Sequence, residues 1–270
     1  MRVGVVGAGG KMGLAVCQAV VADPTLELSA AVDPRLAGTD LGSLVPGADG
    51  LRVAGDLAEL TASHTEVVVD FTRVEAARTT LAWCAAAGLH AVVGTTGFTD
   101  ADLTELRRAF PGSGRDGPNC IVAANFAIGA VLMMRFAELA APWFDGAEIV
   151  ELHHDGKLDA PSGTSMRTAE RMAASRSEAG RPEFPEDRTS TVVVEGVRGG
   201  RGPGGVRLHS VRLTGLVAHQ QVILGAVGQG LTIRHDSYER TSFMDGVVLA
   251  VKQVAGRPGL TLGLESLLGL

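Results

Sequence analysis

The segment ELHHDGKLDAPSGTSMRTAERM, residues 151–172, places two adjacent histidines and a lysine at the end of a predicted strand. Histidine changes its protonation state near neutral pH, so His153, His154 and Lys157 could supply one proton donor and two cations to an anionic substrate. Adjacent residues on a strand point to opposite faces, but the twist at a strand's frayed end can bring both rings near one cleft. The segment therefore predicts acid–base chemistry on an anion.

The residues that follow indicate where such an anion would bind. Pro161 suits the start of a helix because proline fixes φ and has no backbone N–H. Ser162 and Thr164 can cap that helix, and Gly163 exposes backbone N–H groups. A helix start of this composition is a receptor for a carboxylate. We therefore expect the segment to bind a carboxylate and to protonate a neighbouring carbon or nitrogen.

The histidine pair has two other interpretations. The pair could bind a metal together with His219 or His235, but the sequence has no HxH, HxxxH or helical His-carboxylate spacing, and Lys157 would repel a cation. We therefore predict no metal. Two structural histidines with satisfied hydrogen bonds are the simpler alternative, which the lysine and the anion receptor disfavour.

A second motif lies near the start of the chain, where VVGAGGKMG places Gly7, Gly10 and Gly13 between a predicted strand and a predicted helix. Glycines permit the tight turn and let the backbone approach a pyrophosphate, which the helix N-terminus attracts. Asp33 follows at the end of the next strand, where a carboxylate binds the ribose hydroxyls of a dinucleotide. A purely structural turn is the alternative, and the strand–turn–helix context disfavours it.

The choice of dinucleotide stays open at this point. Asp33 favours NADH, whereas Lys11 and Arg35 flank the site and could bind the 2′-phosphate of NADPH. Two further segments, DFTR (70–73) and GTTG (94–97), follow parallel strands, and ligands of open α/β sheets bind beyond the carboxyl ends of such strands.

The pattern of elements supports this placement. Strands and helices alternate at short spacing up to about residue 125, which predicts a parallel, doubly wound sheet, with Gly88 closing one helix and Thr99 capping the next. A long helix, the strand that carries the histidines and a helix from about 162 to 174 come next. The charged, Pro- and Gly-rich segment 176–205 is predicted as a loop without an assigned role. Three strand-like runs, interpreted as an antiparallel meander, and a final helix complete the chain.

Composition narrows the class of protein. The 270 residues allow two modest domains, and the net charge of −6 disfavours nucleic acid as a partner. Three widely spaced cysteines without CxxC spacing predict buried free thiols in a reducing compartment. Residues 117–134 lack charge but are interrupted by proline, asparagine and glycine, so no membrane span is predicted and a cytoplasmic protein is expected.

The motifs, in order along essentially the whole chain, resemble those of the 4-hydroxy-tetrahydrodipicolinate reductase family, also called dihydrodipicolinate reductases, of bacterial lysine and diaminopimelate synthesis. The matching segments are GAGGKMG, DFT, VVGTTGF, AANFAIGA, ELHHDGKLDAPSGTS, HSVRLTGLVAHQ and RHDSYERTSF. The HHxxKxDAPSGT motif is highly specific, and actinobacterial members are the most similar. Many members have a further histidine where this chain has Gly156.

The resemblance implies an α/β fold in which an N-terminal Rossmann-like dinucleotide-binding domain (1–126 plus 241–270) is joined to an α+β mixed-sheet domain (127–240). The second domain would bind substrate and build a homotetramer. The implied reaction uses NADH, NADPH or both to reduce a small dicarboxylate, 4-hydroxy-tetrahydrodipicolinate, to tetrahydrodipicolinate with loss of water.

The resemblance also implies residue roles. His153 matches the family's proton donor/acceptor and Lys157 its second proton donor. His154 matches a substrate-binding residue, and Gly163 with Thr164, beside Ser162, matches the carboxylate receptor. The positions that match cofactor contacts are Gly7, Ala8, Gly9, Gly10, Lys11, Met12, Asp33, Arg73, Gly94, Thr95, Thr96, Ala123, Ala124, Asn125 and Phe126.

Two rival functions were considered. Another Rossmann-type oxidoreductase, such as an amino-acid semialdehyde or homoserine dehydrogenase, would differ in its substrate profile. A redox-sensing NAD(P)-binding protein without catalysis would need the glycine turn, but neither a proton donor nor an anion receptor in the second domain.

Overall fold

The computed structural model describes residues 1–112 and 117–270, which divide into two compact units. The first unit comprises Met1–Ile128 and Arg240–Leu270, and the second comprises Gly129–Glu239. The strands are β1 (Arg2–Val6), β2 (Glu27–Val32), β3 (Val67–Asp70), β4 (His90–Val93), β5 (Cys120–Val122), β6 (Gly146–His153), β7 (Gly200–Arg201), β8 (Arg207–Arg212), β9 (Ala218–Ala226), β10 (Gln229–Ser237) and β11 (Leu260–Leu262). The α-helices are α1 (Lys11–Ala22), α2 (Ala58–Ala62), α3 (Val74–Ala87), α4 (Asp100–Ala109), α5 (Ile128–Ala140), α6 (Gly163–Glu178) and α7 (Met244–Val254).

The first unit contains a six-stranded parallel sheet in the order β11-β5-β4-β3-β1-β2. β3 is buried along its whole length and consists of β-branched residues up to Asp70, as expected for a central parallel strand. The chain runs from β1 to β2 on one side and then returns to add β3 on the other, so the strand order reverses between β1 and β3. Such a reversal opens a crevice at the carboxyl ends of the strands.

Local signals set the ends of the helices as predicted. Gly88 closes α3 in the left-handed conformation at φ 72°, which glycine adopts without a Cβ penalty. Thr99 and Asp102 form a reciprocal capping box at the start of α4. The predicted parallel, Rossmann-like sheet is confirmed.

β11 was not predicted, because the Gly- and Leu-rich tail lacks a clear period. It pairs in parallel with β5, and the amide of Cys120 donates to the carbonyl of Gly259 at 2.9 Å. The side chain of Asn119 anchors the connection, since it donates to two carbonyls after α7 and accepts from the Gly259 amide. Tertiary contacts therefore create this strand.

The second unit contains a five-stranded mixed sheet in the order β10-β9-β6-β8-β7. The predicted mixed sheet is confirmed, and β9 and β10 form the expected antiparallel pair, but the expected continuation of the meander to β8 is wrong. β6 lies between β8 and β9, parallel to the former and antiparallel to the latter. This insertion places Arg212 of β8 beside the buried carboxylate of Glu151 on β6. No local sequence pattern predicts this pairing.

The segment predicted as the loop 176–205 contains the last turn of α6, the two-residue strand β7 and a short 3₁₀ turn at Pro203–Gly205. Arg176 is buried at the end of α6 and donates to the carbonyls of Ala141, Phe144 and Pro182. Its guanidinium also lies 3.9 Å from the centre of the Phe184 ring. Arg176 therefore anchors the beginning of this segment to the residues that follow α5.

The three cysteines are buried free thiols, as predicted, and burial raises the pKa of Cys17 and of Cys84 to about 12. Within residues 1–112 and 117–270, the helices are too short or too polar for any of them to cross a bilayer.

Candidate active site

The glycine turn connects β1 to α1 in the first unit. Gly7 has a φ of 76°, and its amide donates to the carbonyl of Val32 at 2.8 Å. A Cβ at Gly13 would overlap the Gly7 carbonyl and lie 2.9 Å from the Cα of Ala8, so this position requires glycine. Gly10 is the N-cap of α1 and has no side chain to occupy the helix start. The turn therefore leaves the positive end of α1 accessible to an anion.

Asp33 is 2% exposed at the end of β2, where its Oδ2 accepts from the Gly9 amide at 3.0 Å. Its carboxylate also accepts from the backbone and guanidinium of Arg35, whose side chain is 78% exposed. Burial raises the pKa of Asp33, but the hydrogen bonds from Arg35 and Gly9 outweigh it and hold that pKa below its ordinary value. Asp33 thus links the glycine turn to an exposed cation.

The segments that follow β3 and β4 are joined by side-chain hydrogen bonds. Asp70 Oδ1 accepts from the backbone and hydroxyl of Thr72 at 2.8 and 2.7 Å and from the hydroxyl of Thr95 at 3.3 Å. A Cβ at Gly94 would overlap the ring of Phe71, so glycine allows that ring to pack there.

The segment after β5 completes this edge of the sheet. Phe126 is buried and packs against Phe71 with 5.4 Å between ring centres, and Asn125 Oδ1 accepts from the Ala127 amide. The amide of Ala123 donates to the carbonyl of Val93, at the end of β4.

The structure therefore brings the predicted cofactor residues to the carboxyl ends of neighbouring strands of the first unit. Those with an exposed position are Lys11, Arg73, Thr96 and Ala124, and those that are buried or half-buried are Gly7, Ala8, Gly9, Gly10, Met12, Asp33, Gly94, Thr95, Ala123, Asn125 and Phe126.

In the second unit, His153 is the last residue of β6, and its Nδ1 is hydrogen-bonded to Oε2 of Glu151. Residues two apart on a strand point to the same face, which explains the contact. Burial lowers the pKa of His153, the Glu151 carboxylate opposes that effect, and the balance lies below the ordinary value. This environment therefore favours the neutral imidazole.

Glu151 is completely buried, yet neighbouring groups satisfy its carboxylate. Arg212 donates to both oxygens at 2.9 and 2.8 Å, and the amide of Ser162 donates to Oε1 at 3.2 Å. Burial raises the pKa of Glu151, but the hydrogen bonds from Arg212, Ser210 and His153 hold it below its ordinary value.

Sequence reasoning missed both Glu151 and Arg212. The alternation of a strand could have placed Glu151 on the same face as His153. Arg212 carries no such signal, because its proximity arises from the pairing of β8 with β6.

Ser162 is the N-cap of α6, as predicted, and its hydroxyl accepts from the Ser165 amide at 3.2 Å. That hydroxyl also bonds the Ser165 hydroxyl, which donates to Gln220, so Ser162 belongs to a buried network. Gly163 and Thr164 are the first two helical residues, and Gly163 is exposed. The first N–H groups of a helix have no intrahelical acceptor, which suits this position to an anion.

The segment after β6 carries the remaining predicted side chains. His154 is exposed, and its carbonyl accepts from the Lys157 amide at 3.1 Å, closing a turn. The Lys157 ammonium lies 2.8 Å from each carboxylate oxygen of Asp159. The lysine is therefore paired with a mostly exposed carboxylate.

Among the described residues, no group of three or more histidine, cysteine, aspartate and glutamate side chains could hold a metal ion. His219, one candidate in the metal alternative, is bonded through Nδ1 to Asp236 at 2.7 Å.

Comparison with known families gives matches over both parts of the chain. The family described as "Dihydrodipicolinate reductase, N-terminus" matches residues 1–126, and "Dihydrodipicolinate reductase, C-terminus" matches residues 129–268.

Individual proteins match over the full length. The chain is 46% identical over 270 residues to a 4-hydroxy-tetrahydrodipicolinate reductase of Corynebacterium urealyticum, covering 100% of this chain and 99% of the relative. It is 49% identical over 271 residues to the enzyme of the same name from Nocardia farcinica, with coverage of 100% and 99%. A dipicolinate-bound dihydrodipicolinate reductase from Paenisporosarcina sp. TG-14 superposes with a TM-score of 0.85 at 40% identity, covering 98% of each chain. An amine dehydrogenase from Mycobacterium smegmatis, at a TM-score of 0.64 and 16% identity, shares the fold alone.

Proposed function

The chain belongs to the dihydrodipicolinate reductase family, and we propose from this premise which of its residues carry out the reaction. It is an NAD(P)H-dependent 4-hydroxy-tetrahydrodipicolinate reductase of lysine and diaminopimelate biosynthesis, an assignment carried by the full-length identity of 46–49% to reductases of that name. The substrate is reduced to tetrahydrodipicolinate and its hydroxyl leaves as water.

The first unit has the features that a nicotinamide dinucleotide needs. A Cβ at Gly9 would meet the Asp33 carboxylate at 2.9 Å, so glycine lets the turn pack on Asp33, and Gly10 has no side chain to cover the start of α1. The turn Gly7–Met12 and the start of α1 would hold the pyrophosphate, and Asp33 would hold the adenosine ribose. The residues after β3, β4 and β5 that would position the nicotinamide end are Arg73, Gly94, Thr95, Thr96, Ala123, Ala124, Asn125 and Phe126. When bound, the cofactor supplies the hydride that goes to the ring carbon losing its hydroxyl.

Both NADH and NADPH fit this arrangement. The Asp33 carboxylate is ionised and would repel a 2′-phosphate, but Gly9 and Arg35 already neutralise part of its charge. The exposed guanidinium of Arg35 and the ammonium of Lys11 can turn to a 2′-phosphate. We therefore propose that the enzyme uses either cofactor.

The second unit would bind the two carboxylates of the substrate. One would accept hydrogen bonds from the start of α6 at Gly163 and Thr164. Ser162, the buried N-cap, would hold that helix start in place. The other would lie near His154 and Lys157, where the substrate competes with Asp159 for the lysine. Two anion sites of this kind select a dicarboxylate over a monocarboxylate.

His153 is the proposed proton donor to the ring carbon adjacent to the reduced one. Because Nδ1 bonds an acceptor-only carboxylate, the proton exchanged with substrate must be carried by Nε2. The negative charge of a bound dicarboxylate favours the imidazolium form, so substrate binding prepares the donor. Lys157 is the second candidate donor.

A coupled assay tests this function. The preceding synthase makes the substrate in situ from pyruvate and aspartate semialdehyde, and oxidation of NADH or NADPH is followed by absorbance. We expect oxidation that depends on every component and proceeds with both cofactors. Protein that binds NADH but oxidises neither cofactor would contradict the proposal and favour a non-catalytic sensor.

We also propose a homotetramer assembled through the second unit and a cytoplasmic location. Apolar side chains are exposed along β9, β10 and the turn between them, at Ile223, Val227 and Leu231. Covering them is favourable, at roughly 25 cal/mol per Å² of apolar surface. Light scattering coupled to size-exclusion chromatography should give four chains per particle, and a monomer at micromolar concentration would refute the assembly.

A further inference from the structure

The residue in the second unit that invites explanation is Glu151. A fully buried carboxylate is costly unless charges and hydrogen bonds compensate it. Here Arg212 compensates the charge through a bidentate contact, and Arg212 itself is fixed by donating to the carbonyls of Val211 and Asp159. The Glu151–Arg212 pair brings no net charge to the site. Its contribution must therefore come from the groups that it positions.

We propose that Glu151 is a positioning residue that fixes the tautomer of His153 and ties its imidazole to the anion-binding start of α6, while Arg212 keeps the carboxylate ionised. This inference rests on the proposed role of His153 as proton donor.

The tautomer follows from the chemistry of the contact. An ionised carboxylate only accepts hydrogen bonds, so the Nδ1 of His153 must carry a hydrogen. Nε2 then holds the lone pair of the neutral ring and takes up the exchangeable proton. The same logic applies where a carboxylate orients a histidine ligand or a catalytic histidine.

The geometry follows from the second contact. The oxygen of Glu151 that does not bond His153 accepts from the amide of Ser162, the N-cap of α6. One rigid carboxylate therefore spans the imidazole and the helix start that receives the substrate carboxylate. The distance between proton donor and bound anion is set by a side chain that touches neither substrate nor cofactor.

The Glu151 carboxylate also affects how readily His153 is protonated. The charged groups that face His153 are Glu151 on β6, Arg212 on β8 and Lys157 in the following segment, whose ammonium is paired with Asp159. The β9 partner of His153 is Ala218, which carries no charge. Removing the Glu151 charge leaves two cations, which disfavour the imidazolium form.

The structure supplies a matched control on the same strand. Glu148 also bonds a histidine and an arginine, with His209 Nε2 at 2.8 Å and the Arg198 guanidinium at 2.6 Å. Residues three apart on a strand point to opposite faces, so this arrangement lies away from the proposed site. It also uses Nε2 of the histidine, whereas Glu151 uses Nδ1.

The first test is nitrogen-15 NMR of the wild-type protein labelled at histidine, with the signals assigned by His153→Gln and His209→Gln. In the neutral rings, His153 should carry its hydrogen on Nδ1 and His209 on Nε2. A His153 hydrogen on Nε2 would overturn the proposal without any variant of Glu151 having to fold.

The second test is the pH profile of turnover in Glu151→Gln, with NADH binding as the check of folding. We expect turnover to fall by about 10- to 100-fold, as for partners that orient a functional histidine, and its basic limb to move to lower pH. Glu148→Gln should keep the wild-type profile, and Glu151→Gln combined with Arg212→Met, which removes both charges, should move the limb back toward that profile.

The outcomes separate the two claims. Wild-type turnover in His153→Gln would refute the proposed proton donor itself. An inactive His153→Gln together with a wild-type pH profile in Glu151→Gln would refute only the positioning role. If Glu151→Gln fails to fold, the positioning role is tested by the pH profile of the Glu151→Gln, Arg212→Met double variant and by the tautomer of His153 in the wild-type protein.

Discussion

Replacing Gly13 by alanine tests whether the glycine turn holds the dinucleotide by close packing of α1 against β1. The added Cβ would overlap the carbonyl oxygen of Gly7 and would lie 2.9 Å from the Cα of Ala8. Ordinary contacts of a Cβ with a backbone oxygen begin above ~3 Å, so α1 must move outward by about 1 Å or more. Both neighbours are backbone atoms, and no side chain can rotate away to relieve the overlap.

Two energies oppose each other in this variant. Alanine gains about 1 kcal/mol over glycine in a helix interior. Overpacking costs roughly 1–3 kcal/mol, and a clash with backbone lies at the upper end of that range. We expect a net loss of about 1–2 kcal/mol in the free energy of unfolding. NADH affinity should fall about tenfold or more, because the N–H groups of α1 no longer meet the pyrophosphate.

Urea unfolding and NADH fluorescence titration measure the two effects. Gly163→Ala is the matched control for these two quantities, since it also lies in the first turn of a helix but a Cβ there meets nothing within 4 Å. The control should keep wild-type NADH affinity and should be at least as stable as wild type, since alanine there gains helix propensity without an overlap. Equal NADH affinity in Gly13→Ala and wild type would refute the assignment of this turn to the cofactor.

Three further predictions concern cofactor choice, pH and stability. Arg35→Ala should raise the KM for NADPH about 5- to 10-fold and leave the KM for NADH unchanged, because only NADPH loses a guanidinium–phosphate contact. An unchanged ratio of the two KM values in steady-state kinetics would contradict the role of Arg35. Since burial lowers the pKa of His153 and the donor must be protonated, kcat/KM should decline as pH rises through a value below the ordinary histidine pKa of ~6.5. The corresponding decline of kcat should lie at higher pH, because bound substrate favours the imidazolium form. If kcat and kcat/KM declined at the same pH, this effect of substrate on His153 would be contradicted. Arg176→Met should cost about 2–4 kcal/mol in urea unfolding, because it leaves three carbonyls without their donor, whereas Arg167→Met at an exposed position of the same helix should cost less than 0.5 kcal/mol.

Much of the first unit could be predicted because its signals are local. Buried runs such as VVVD, the glycine at the end of α3 and the capping box of α4 each act within a few residues, and alternating strands and helices imply parallel pairing. β11 escaped prediction because its three residues become a strand only by contact with β5 and the Asn119 side chain. Position in the sheet, rather than sequence, defines it.

The second unit shows the limit more clearly. The order of β8, β6 and β9 depends on which strands exchange hydrogen bonds across long separations. The consecutive runs correctly suggested that β9 and β10 pair, but wrongly suggested that β8 is the neighbour of β9. The histidines, the lysine and the start of α6 were recognisable because they are contiguous in sequence. Glu151 and Arg212 were not, because one is a charged residue in a buried strand and the other reaches it from 61 positions away.

The most direct test of the proposed mechanism compares His153→Gln with wild type in the coupled assay, with Lys157→Ala measured in parallel. General acid catalysis by a positioned side chain contributes about 10²- to 10⁴-fold, so kcat should fall by that order in His153→Gln while the dissociation constant for NADH changes less than about twofold. Lys157→Ala should lose turnover by a comparable factor if it is the second donor. A His153→Gln protein with near-wild-type kcat, or one that loses NADH affinity as strongly as turnover, would contradict the assignment of proton transfer to this histidine.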